Sequence, residues 1–65
     1  MAKKRKPLKK GTKLYNVEDN DFVIQLTEAE DPKRESYQGE IIQGGKHRIV
    51  GDYSQFWLKS RFKKL

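Results

Sequence analysis

Lys3, Lys4, Arg5, Lys6, Lys9, Lys10 and Lys13 place seven cations and no acid in the first thirteen residues. Cations at that density neutralise several phosphates of a nucleic acid and release its counterions, giving affinity that ignores sequence and falls steeply with salt. Lys59, Arg61, Lys63 and Lys64 form a second basic group in the last seven residues. Lys46 and Arg48, on either side of His47, make a small third patch. Tyr15, Tyr37 and Tyr53 offer rings on which bases could stack. The competing reading packs each ring in the core with its hydroxyl at the rim. A basic arm also serves in some chains as a solubility tail or as an address read by another protein.

Little else in the sequence carries chemistry. There is no cysteine and one histidine, which removes a disulfide framework, thiolate catalysis and a cysteine- or histidine-rich metal site together. His47 between two cations reads as a solvated loop residue, and Ser54 without a neighbouring base reads as a cap. Glu18, Asp19 and Asp21 have a faint calcium-loop spacing but lack that motif's glycine and distal glutamate. Gly44-Gly45 lacks the lysine-serine of a phosphate-binding loop. We therefore expect no enzyme, cofactor, metal or small-molecule substrate. No apolar run reaches the roughly 18 residues that cross a bilayer, and no apolar segment follows the basic start as in a secretory signal. The expected location is the cytoplasm, with no membrane partner.

These groups are carried by one small unit. At 65 residues the chain buries only about 60% of the surface it exposes when unfolded, so each large apolar residue counts. Net charge is +6, but residues 1–13 hold +7, residues 59–65 hold +4, and the stretch between holds −5. A body of that sign repels phosphate wherever it faces it.

Residues 1–11 contain too little apolar surface to offset the entropy of ordering them, and a disordered basic arm is expected. Residues 12–65 then form the domain. Leu14 to Val17 alternates weakly, and Glu18 to Asp21 is a cluster of turn formers, which predicts a hairpin into Phe22–Thr27. In that strand Phe22, Ile24 and Leu26 share one face. Residues 28–36 are charged, contain Pro32 and read as an exposed loop. Tyr37, Gly39 and Ile41 share the face of the next strand, and the glycine predicts a bulge or a close backbone approach. Gly44-Gly45 predicts a two-residue turn, with a returning strand over 46–53. Gly51 to Leu58 holds the only tryptophan and is the expected centre of the core, with one helical turn over Gln55–Leu58 behind Ser54. Phe62 lies on a last segment that either closes the sheet as a strand or continues the helix. Trp57 and Phe62 are expected in the core.

Four or five short strands with tight turns leave long open edges unless the sheet curls. A partly closed SH3-like barrel is the first expectation, with an OB-like or open sheet behind it. Tyr37-x-Gly39-x-Ile41, Gly44-Gly45, and Gly51-x-Tyr53-Ser54-x-x-Trp57 followed by Phe62 resemble a pattern shared by small bacterial and phage proteins of uncharacterised role. Those proteins look like SH3-like β-barrels. The likeness covers about residues 37–62 and implies architecture, since its residues are fold-forming. Two functions are therefore expected, a module that binds RNA or DNA and, as the alternative, a small module that docks on a host or virion protein.

Overall fold

The computed structural model describes residues 6–45 and 48–65. Five strands follow one another as β1 (Lys13–Asn16), β2 (Phe22–Leu26), β3 (Ser36–Gly44), β4 (Tyr53–Leu58) and β5 (Phe62–Lys64), with a 3-10 turn, Lys59–Arg61, between the last two. They form one antiparallel sheet in the order β4-β3-β2-β1-β5.

This order forces curvature. Laid flat, five strands would hold β4 and β5 about 19 Å apart, yet a turn of only three residues joins them, and such a turn rises about 6 Å. The sheet therefore wraps until its two edges approach each other at that turn, without pairing. Trp57 on β4 and Phe62 on β5 have ring centroids 5.8 Å apart, and both rings stand edge-on to Phe22 of β2, at 5.5 and 5.4 Å. The fold is an all-β, partly open barrel of SH3-like order.

Two register shifts supply the bend. Val23 pairs with Gln43 but Ile24 with Ile41, which leaves Ile42 as an extra residue on β3. Tyr37 pairs with Trp57 but Gly39 with Ser54, which leaves the extra residue on β4. Bulges of this kind bend a strand and increase its twist. Gly39 sits where β3 passes close over β2: a Cβ there would stand 2.7 Å from the Gln25 carbonyl oxygen, closer than any side chain permits.

The inward residues form one cluster of Leu14, Phe22, Ile24, Leu26, Tyr37, Ile41 and Phe62, with Leu8 and Trp57 packed against it. The period-two reading of β2 and β3 thus holds. The β1–β2 turn is built by side chains: Asn16 Oδ1 accepts from the N–H groups of Glu18 and Asp19, and Asp19 Oδ1 accepts from that of Asp21. Asn16 is buried, and these bonds satisfy its side-chain oxygen.

Three expectations are corrected. Gly51–Leu58 is an edge strand and the loop before it, not the centre of the core; Phe56 is 70% exposed, because the β4 bulge turns it outward. The helical turn lies at Lys59–Arg61, and Gln55–Leu58 is extended. The strand expected over 46–53 is absent at 48–52, which form a loop held by Gly51 N–H to Ile41 O and Ile41 N–H to Asp52 O; residues 46 and 47 lie outside the described residues. With it goes the two-residue turn expected at Gly44-Gly45: Gly44 is the last residue of β3, and of the pair only Gly45, at φ 59°, has a positive φ.

The arm expected over 1–11 lies outside the described residues for 1–5. Its later part is fastened to the body. Leu8 N–H donates to Glu30 Oε1, Glu30 N–H donates to Leu8 O, and Gly11 N–H donates to Leu26 O. Leu8 alone on a polar stretch looked too little to order it; a carboxylate 22 residues away supplies the second anchor.

Candidate nucleic-acid interface

The pairing of β1 with β5 lays the two basic ends of the sequence side by side. Tyr15 is opposite Lys63 and Leu14 opposite Lys64, while Leu65 N–H donates to Lys13 O at 3.1 Å and Val17 N–H to Arg61 O at 2.9 Å. Leu14 and Asn16 point into the barrel, so Lys13, Tyr15 and Val17 point out. Lys63, opposite Tyr15, and Leu65, opposite Lys13, share that outer face. Cations and apolar groups alternate across it.

Just before Lys13, a turn closed by Thr12 N–H and Thr12 Oγ1 to Lys9 O carries the exposed Lys9 and Lys10. Gln25, across from Lys13, donates its side-chain N–H to Gly11 O and pins this turn to the sheet. Lys6 is exposed on the same segment. At the other end of the face Arg61 meets Glu18 at 3.1 Å, with both side chains mostly in water, a pairing worth about 1 kcal/mol at most and easily exchanged for a phosphate.

Other expected contacts are not part of this face. Lys64 alternates to the opposite side of β5, where it is exposed at the sheet end. Lys59 is turned inward: its Nζ lies 2.7 Å from Glu30 Oε2, donates to Asp31 O, and stands 5.6 Å from the Tyr37 ring centre. The guanidinium of Arg48 lies 4.6 Å over the Phe22 ring and caps the core. Tyr37 is buried, so it is no stacking platform. Tyr53 is exposed but sits on β4, opposite Glu40. Lys3, Lys4, Arg5 and Lys46 lie outside the described residues. Of the three tyrosines only Tyr15 is on the basic face.

Beside Tyr15 the surface dips into a recess of about 420 Å³ whose walls include Val17, Asn20, Lys63 and Leu65. Sequence reading missed Val17, Asn20 and Leu65. The alternation Lys13-x-Tyr15-x-Val17 was a usable signal for the first; Leu65 depends on the β1–β5 pairing, which no local pattern announces. A larger groove of about 1020 Å³ runs between the β2–β3 loop and the 3-10 turn. Its rim mixes Glu30 and Glu35 with Lys33 and Arg34, so it has no consistent sign for a polyanion.

No family model, curated protein or solved structure matches the chain. Among the described residues no helix is long and apolar enough to cross a membrane.

Proposed function

We propose that the chain is a non-enzymatic, cytoplasmic module that binds RNA or DNA through phosphate contacts. The observation that carries this reading is the β1–β5 pairing. It gathers Lys9, Lys10, Lys13, Arg61 and Lys63 along one edge of a barrel whose remaining charge is net negative, nine acids against six cations, and it adds the basic residues that precede Lys9 in sequence. Five cations acting on phosphates give a log-affinity that falls with log salt at a slope of roughly −3 to −5. Fluorescence anisotropy with a labelled oligonucleotide over a salt series measures that slope. Changing Lys13 and Lys63 to Gln should flatten it by roughly 1.5 to 2. A complete lack of binding to any nucleic acid at low salt rejects the reading.

A protein-interaction module is the second reading, favoured by the β4 edge. Tyr53, Phe56 and Leu58 are exposed there, Ile49 and Val50 project from the loop before it, and the strand carries no charge between Tyr53 and Leu58. An uncharged edge strand is a template for strand addition, as by a segment of a host or virion protein. Recovery of one partner that survives nuclease treatment would favour this reading; loss of every partner on that treatment would favour the first.

A further inference from the structure

We propose that the recess beside Tyr15 receives an unpaired nucleobase, so that the module prefers single strands to duplex. The inference rests on the phosphate-binding reading and adds to it a ligand class.

Charge alone does not account for the composition of this face. Lys63 and Lys13 suffice for phosphates, whereas Val17 at 40% and Leu65 at 67% exposure leave apolar surface in water beside them. The flat face of a base covers such surface, and its sugar-phosphate keeps the charge at the rim where Lys63 stands. The recess, at about 420 Å³, falls within the range of about 300–1,000 Å³ usual for small-ligand sites. Tyr15 supplies a π-face, and stacking on such a ring accepts any base. The Asn20 side chain, in the wall formed by the β1–β2 turn, offers two donors and an acceptor to the edge of a base.

The platform is also rigid. Leu14 beside Tyr15 is fully buried and Asn16 is fixed by its turn bonds, so the strand segment bearing Tyr15 cannot drift. A duplex cannot use this site without extruding a base, since its base faces are stacked and its pairing edges occupied. It does carry the denser line of charge, so a face that worked by charge alone would hold duplex at least as tightly as a single strand of equal length.

The two cases separate in one experiment. Anisotropy titrations at fixed salt would use labelled 12-mers of deoxythymidine and of uridine and a 12-base-pair duplex, against the unmodified chain, Tyr15→Leu, Tyr15→Phe and Asn20→Ala. The expected result is tighter binding of single strands than of duplex. Tyr15→Leu should lose about 5- to 150-fold on single strands, Tyr15→Phe should retain most of the affinity, and duplex binding should stay unchanged throughout. A loss in either single-strand series supports the inference, and the tighter series names the strand as RNA or DNA. In the unmodified chain the Val17 methyl resonances should also move under the ring current of a bound base with single strands and not with duplex, which holds the test together should a variant not fold. Duplex binding as tight as single strands, with Tyr15→Leu neutral on both, overturns the inference and leaves the phosphate reading standing. No binding by any probe at low salt overturns both.

Discussion

The ammonium of Lys59 lies 2.7 Å from a Glu30 carboxylate whose side chain is 5% exposed, and that carboxylate also holds the Leu8 N–H. Lys59→Met would take one cation away from this buried acid. Breaking a buried pair outright costs about 3–5 kcal/mol; with the lysine itself 19% exposed, a loss of up to about 3 kcal/mol is expected, read as a lowered urea midpoint. Oligonucleotide affinity in the folded variant should change less than it does for Lys63→Gln. The two lysines are four positions apart in a run that looks uniformly basic. A count of charge finds both, but it cannot tell that one has an acid waiting 29 residues earlier, nor that Arg48 would lie across the Phe22 ring. Tyr37 and Tyr15 were likewise equal candidates by type, and only strand direction separates a core ring from a surface one.

At the scale of elements, strands that alternate cleanly were legible. β2 buries Phe22, Ile24 and Leu26 as its pattern demands, with Val23 of the other face buried as well, β3 alternates up to its bulge, and Gly39 marks the close crossing that its type suggested. The failures cluster where a bulge shifts the register. β4 follows two glycine-containing turns and carries aromatic residues at adjacent positions, Phe56 and Trp57, so a period of two is not visible. The bulge sends Phe56 outward with its N–H on Ser54 Oγ, while Trp57 turns in and donates its indole N–H to Gly39 O. Alanine substitutions should expose the difference. Phe56→Ala is expected to change unfolding free energy by no more than about 0.5 kcal/mol, and Phe62→Ala to lower it by about 3–4 kcal/mol, both by urea titration followed through Trp57 fluorescence. A costly Phe56→Ala would mean that β4 packs differently.

For the molecule as a whole, the strand count and the barrel were readable from turn spacing and the need to remove sheet edges, whereas the adjacency of β1 and β5 was not, because it joins residues 46 positions apart, Asn16 and Phe62. That adjacency sets how the candidate interface and the fold depend on one another. An oligonucleotide that contacts Lys13 and Lys63 together bridges the first and last strands, so at 100 times its dissociation constant it should add about 2.7 kcal/mol of stability. Amide hydrogen exchange is the sharper measurement: the Val17 and Leu65 N–H groups, which bond across the two strands, should exchange more slowly when the ligand is present. The proposed polyanion surface is thus a seam, and it closes the longest loop between paired strands, whose entropic cost the β1–β5 join must offset. A chain with β5 undocked has no such surface, and a captured strand of nucleic acid would act as a clasp on the very join that made it possible.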